Sequence, residues 1–173
     1  MLNQRIESIT VEILNDLNIT TPGQINVKKI AKYLRVDVKA EDMDFDISGL
    51  FVIKNNKPHI RYNKGEHSNR QRFTIAHELG HYVLHKESKP IFVDKSEKIM
   101  YRDVDSSTGE FRREREANAF AASLLMPKSF IQSLIKKAPK KTDDIVTYLA
   151  SKFKVSEQAM NFRLANLGYV GLY

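Results

Sequence analysis

The sequence predicts an α+β fold, with a small, mainly antiparallel sheet packed on helices and a helical C-terminal subdomain. Three observations carry this. Helix-period apolar spacing occupies both ends of the 173-residue chain. Short alternating segments lie between about 36 and 62. A well-delimited helical stretch follows directly on them. A chain of this size buries a core without disulfide or metal staples. The expected division is a domain over 1–126 and a C-terminal helical, helix-turn-helix-like subdomain over 127–173.

In the first segment, about Gln4 to Leu17, Ile6, Ile9, Ile13, Leu14 and Leu17 fall on one helical face. Thr21-Pro22-Gly23 ends it. A short helix is expected over Val27–Leu34, with Ile30, Ala31 and Leu34 inward, followed by a strand at Val36-Asp37-Val38. Gly49–Ile53 and His59–Tyr62 read as a strand pair around Asn55-Asn56-Lys57-Pro58. That pair could offer an edge to an extended peptide or simply cover the core. Ser68 followed by Gln71 has the capping-box pattern, so a helix should run from there to about His85. Residues 86–110 form a long connection, a place where functional loops and insertions occur; Ile91-Phe92-Val93 suggests a strand within it. Glu110–Met126 is the next helix. Pro127 opens a short one through Lys136, and helices over about Asp143–Phe153 and Glu157–Asn166 complete the chain. Ser156 is the expected N-cap of the last and Gly168 its stop. This final pair has a helix-turn-helix look, but Ala159, Phe162, Leu164 and Leu167 are expected to serve a core rather than DNA contact.

Composition narrows the function classes. The chain contains no cysteine, which excludes disulfides and thiolate metal sites. It has no run of about 18 apolar residues, and Met1–Glu7 lack the apolar core of a secretion signal, so a cytoplasmic protein is expected. Net charge is +7, of which residues 127–173, with 8 basic and 3 acidic residues, carry +5. Such a tail is either a solvated lysine-rich face or a surface for nucleic acid or an acidic partner.

The chemistry concentrates in His77-Glu78-Leu79-Gly80-His81. Residues four apart on a helix share a face, so His77 and His81 can bind one Zn²⁺ through their ring nitrogens. Glu78 lies beside that face, close enough to take a proton from water on the ion without occupying the ion's open position. Phe73, Ile75, Ala76, Leu79, Val83 and Leu84 make the helix largely apolar, and burying two histidines and a glutamate there is costly unless they are paired or ligate metal. Gly80 in mid-helix costs about 1 kcal/mol against Ala, which suggests close approach of another backbone or of substrate.

A third protein ligand is normal at a catalytic zinc site. His85 is expected to be an exposed or helix-capping residue. Glu114 and Glu116 are the better candidates. Glu114 is favoured because it shares a helical face with Asn118, which could steady a ligand histidine from behind. Glu116 lies on another side and suits a surface or core-edge salt bridge. Nitrogen and oxygen ligands also accept Mn²⁺ or Fe²⁺. Tyr82, Tyr101, His85 and Arg113 are all possible oxyanion donors.

Arg72-Phe73-Thr74-Ile75-Ala76-His77-Glu78-Leu79-Gly80-His81, followed by Glu114 through Pro127, resembles the ImmA/IrrE metallopeptidases. The resemblance takes in Ile60-Arg61-Tyr62-Asn63 upstream and Val155-Ser156 and Arg163-Leu164 downstream, hence most of the chain from about Ser48. It implies a gluzincin-like, zincin-type active-site helix, zinc held by two histidines and a glutamate, and cleavage of a helix-turn-helix repressor that releases transcription in a mobile element or stress response. The long 86–110 connection departs from the family pattern. Two rivals stand beside this reading: a DNA-binding regulator whose zinc is structural or sensory, and a non-catalytic partner in a toxin–antitoxin-like pair. Glu78 argues for the enzyme, because a structural site has no use for a base there and would be closed by a fourth ligand.

Overall fold

The computed structural model describes residues 2–86, 91–95, 108–138 and 144–169. The chain divides into two compact units, one of Asn26–Ala121 and one of Met1–Ile25 with Ala122–Tyr173.

The Asn26–Ala121 unit contains the sheet. Helix α2 (Val27–Tyr33) starts at Asn26, whose side-chain oxygen accepts the amides of Lys28 and Lys29. Strands β1 (Asp37–Glu41), β2 (Ile47–Lys54), β3 (Lys57–Asn63) and β4 (Ile91–Lys95) form one sheet in the order β1-β3-β2-β4. The β2–β3 and β2–β4 pairings are antiparallel and β1–β3 is parallel. The β2–β3 turn is the two residues Asn55 and Asn56, with φ of 51° and 59°. Two successive left-handed residues match the twist of a tight hairpin, and asparagine tolerates that conformation. Pro58 is therefore already in β3, opposite Ile53.

Alternation assigns the two faces of the sheet. Phe51, Ile60 and Tyr62 are buried and Gly49 lies with them. On the other face Arg61 holds Asp37 at 2.9 Å and Glu41 at 2.9 Å, tying β3 to its parallel neighbour. Helix α3 (Ser68–His85) packs on the inner face, where Phe51 meets Tyr82 with ring centroids 5.7 Å apart. Its N-cap is His67 rather than Ser68. The His67 ring nitrogen accepts the Asn69 amide at 3.3 Å, while the Gln71 side-chain amide donates to the carbonyls of Lys64 and Glu66. The predicted Ser–Gln box fails because imidazole can cap and Gln71 reaches further back. Helix α4 (Thr108–Leu125) runs through this unit to Ala121.

The other unit is helical: α1 (Leu2–Asp16), a 3₁₀ turn at Pro22–Gln24, the end of α4, α5 (Lys128–Lys137), α6 (Ile145–Phe153) and α7 (Glu157–Asn166). Two polar contacts pin it internally. Thr10 and Ser123 hydroxyls lie 2.6 Å apart. The buried Arg163 meets Glu7 at 2.6 Å and donates to the Met126 carbonyl at 2.9 Å, which satisfies a charge that would otherwise be costly to bury. Asp144 caps α6 and Ser156 caps α7, and Gly168, at φ +83°, ends α7. One core expectation is corrected: Phe162 is 65% exposed, and Met160 fills the interior beside the expected Leu164, because the helix presents that face inward. No described helix is long and apolar enough to cross a membrane.

Candidate metal centre

His77, Glu78 and His81 are all buried on α3. The spacing of four brings the two imidazoles together, with Nε2 atoms 3.0 Å apart. Glu114 reaches them from α4, Oε2 lying 3.2 Å from His77 Nε2 and Oε1 3.2 Å from His81 Nε2. Among the described residues these three form a group able to hold a metal ion, their donor atoms all within 4.8 Å of one another. Around a tetrahedral zinc with bonds of about 2.0–2.1 Å, neighbouring ligand atoms sit roughly 3.3–3.4 Å apart. The observed separations of 3.0, 3.2 and 3.2 Å need little adjustment to meet that. Three protein donors also leave the open position that a catalytic ion requires.

Asn118, one turn beyond Glu114, lies 2.9 Å from His77 Nδ1 through its side-chain oxygen. An oxygen there only accepts, so His77 Nδ1 donates to it, which fixes the ring orientation and turns Nε2 toward Glu114 and His81.

The electrostatics of His81 and Glu114 suit a cation. Burial pushes the His81 imidazole down to about 4, and the charges of His77 and His85 press the same way against the raising effect of Glu114. Burial alone would raise the Glu114 carboxyl. Hydrogen bonds and charge from His77 and His81 outweigh it and hold Glu114 well below the usual carboxylate range. At neutral pH the site thus holds a carboxylate beside an uncharged His81, a donor set that suits a divalent cation.

Two glycines bring the parts together. A Cβ on Gly80 would lie 3.1 Å from Ala117 Cα, Ala117 O and Phe120 Cβ. Its absence lets α4 cross against α3, which places Glu114 and Asn118 within reach of the histidines. The close approach expected of Gly80 is therefore to a backbone. Gly49, in the interior of β2, does the same on the sheet side. A Cβ there would collide with the Thr74 methyl, lie 3.0 Å from the Arg61 carbonyl and come 3.7 Å from Glu78 Oε1. Glu78 is thus buried under the β2 backbone, beside the donor group.

Gly49 was missed in the sequence, although a glycine inside a strand is a signal of close backbone approach. A cluster at the entry to α3 was also missed. Ser48 donates to Glu66 at 2.7 Å and accepts from Arg70 at 3.0 Å, bracing β2 against the start of α3. Ser48 is 18 and 22 residues from these two partners, so no local pattern records the cluster.

The remaining candidates fall elsewhere. His85 is buried rather than exposed, because α4 covers the last turn of α3 there. It lies 3.5 Å from Glu116. Glu116 also pairs with Arg112 at 3.2 Å, a core-edge salt bridge as expected. Tyr82 packs on Phe51, Arg113 is half-buried on α4, and Tyr101 lies outside the described residues.

Comparison with known proteins gives a consistent picture. The sequence pattern of the Peptidase_M78 family, the IrrE N-terminal-like domain, matches residues 31–165. Metallopeptidase ImmA of Bacillus subtilis (strain 168) is 24% identical over 150 residues, covering 87% of this chain and 81% of that protein. A structure titled Mycobacterium tuberculosis transcriptional regulator superposes with a TM-score of 0.63 at 16% identity over 94% of this chain, a likeness of fold. The chain spans 46% of that longer protein.

Proposed function

Because this chain belongs to the ImmA/IrrE family of metallopeptidases, we propose that it is a zinc-dependent endopeptidase of narrow specificity, acting in the cytoplasm on a helix-turn-helix transcriptional repressor. The observation that carries this reading is the convergence of His77 Nε2, His81 Nε2 and the Glu114 carboxylate beside the buried Glu78.

In this reading His77, His81 and Glu114 hold the ion and Asn118 fixes the orientation of His77. A zinc ion there would supply Lewis acidity, drawing the pKa of water toward about 7 and polarising the scissile carbonyl. Glu78 takes the proton of the attacking water on its carboxylate and passes it to the departing amine, so proton and leaving group balance. Burial of Glu78 under β2 keeps that carboxylate in one place. The repressor as substrate rests on the family. Narrow specificity follows from a cytoplasmic setting, where a broad protease would attack its own cell.

The test compares Glu78→Gln with the unaltered chain on the repressor encoded beside its gene and, separately, on casein, both with zinc. Glutamine keeps the size of glutamate but cannot take the proton. The variant should keep the fold and about one ion per chain, and lose about 10²–10⁴ in cleavage rate. Near-normal cleavage by a fully loaded Glu78→Gln chain would assign the base elsewhere. Rapid cutting of casein at many bonds, with the repressor untouched, would overturn the proposed specificity. Salt-dependent duplex binding without proteolysis would favour the DNA-binding rival.

A further inference from the structure

Phe45 is 94% exposed, more than any other large hydrophobic side chain described. It sits in the loop between β1 and β2, and that loop is built to hold it out. The Ile47 amide donates to the Asp44 carbonyl at 2.9 Å, closing a turn with Phe45 at its first corner. The buried Asn63 side chain donates to the carbonyls of Ile47, Met43 and Asp44, at 3.0, 3.4 and 3.4 Å, and accepts the Gly65 amide at 2.9 Å. An aromatic ring on a braced turn loses little conformational entropy when a partner covers it.

The ring stands in an acidic setting: Glu41, Asp42, Asp44 and Asp46 surround it in sequence. Glu41 pairs with Arg61 and Asp42 with Lys64. Asp44 and Asp46, which flank Phe45 directly, make no ion pair among the described residues. On a chain of net charge +7 this is a local reversal of sign. Its complement is an apolar recess rimmed by lysine or arginine.

The loop also leads straight to the site. Phe45 is four residues from Gly49, a span of at most about 14 Å, and the Gly49 backbone covers Glu78. A folded protein whose bond lay beside Glu78 would reach the turn within an ordinary interface. We propose that the Asp42–Asp46 turn is a docking site for the protein substrate, with Phe45 entering an apolar recess whose basic rim meets Asp44 and Asp46. This rests on the peptidase reading above and adds how the substrate is chosen.

The test incubates native extract of the organism's own cells with the zinc-loaded chain and reads newly formed protein N-termini by mass spectrometry. The unaltered chain, Phe45→Ala, the double variant Asp44→Lys/Asp46→Lys, and Glu78→Gln are compared. Metal content and melting temperature, both expected to match the unaltered chain in the Phe45 and Asp44/Asp46 variants, separate loss of docking from loss of fold. The unaltered chain should produce a few new N-termini that Glu78→Gln does not. Phe45→Ala and the charge reversal should each form them at least about tenfold more slowly, and added salt should slow the unaltered chain but not the charge-reversed one. The same N-termini formed at unaltered rates by Phe45→Ala would overturn the docking site and leave the peptidase reading standing. No new N-termini above the Glu78→Gln background would overturn the peptidase reading and the docking site with it.

Discussion

Helices α3 and α4 meet through two histidine–carboxylate contacts that differ in kind. Toward the middle of α3, His77 and His81 share Glu114 at 3.2 Å each. One turn further on, His85 faces Glu116 at 3.5 Å, and Arg112 holds the same carboxylate at 3.2 Å. Residue types, helices and spacing are almost the same. What separates them is the company of the carboxylate. Glu116 already has a permanent cation, so its charge is spent within the protein. Glu114 has two imidazoles, and burial with the neighbouring charges holds His81 neutral. A carboxylate beside a neutral imidazole favours a cation from outside; one beside a guanidinium has little need of it.

The strongest way to break this contrast is to remove one histidine from each contact. His81→Ala should abolish most zinc binding, whereas His85→Ala should retain about one ion per chain by elemental analysis. Equal loss in both would erase the distinction. Asn118→Ala tests the support behind the first contact: outer partners of metal ligands are typically worth about 10–100-fold in affinity, so a chelator competition should show a weakening in that range and less than for His81→Ala.

Acid should act on the first contact in the metal-free chain. His81 sits at about 4 when folded against an ordinary 6.5. Between those values the unfolded chain holds the extra proton, so stability falls as pH drops through that window. Glu114, also lowered, adds a loss below its ordinary 4.5. For His81 the total is on the order of 3 kcal/mol. The melting temperature of the metal-free protein should therefore decline steadily from pH 7 to 4, and His81→Ala should flatten the upper part of that decline. A curve unaffected by the substitution would remove His81 as the cause. The smallest effect is expected at the second contact, where Glu116→Gln should leave metal content unchanged and cost roughly 1 kcal/mol in denaturant unfolding.

Periodicity made much of this legible. The four-residue spacings His77–His81 and Glu114–Asn118 place each pair on one helical face, and the shared-face argument prefers Glu114 to Glu116. Pro127 and Gly168 lie where helices end, and Pro22 opens the 3₁₀ turn that follows α1. The illegible part was long-range. Nothing local records that β1 runs parallel to β3, that Ser48 meets Glu66 and Arg70, or that α4 buries His85. Phe162 was misplaced for a related reason: an apolar residue on a short helix does not say which of two faces the neighbours will cover. His67 was missed as a cap because histidine is seldom read as one.

The tight crossing at Gly80 bears on transplanting such a centre into another protein. His-Glu-x-x-His names two positions as open, yet neither is free here. Leu79 is wholly buried, and at Gly80 even a methyl group would press on Ala117 and Phe120. A graft of the five residues onto a foreign helix would bring both imidazoles and the base, but the third donor would arrive only if a second helix could come equally near. The transferable unit is therefore a pair of helices at a given separation, of which the short motif is one half.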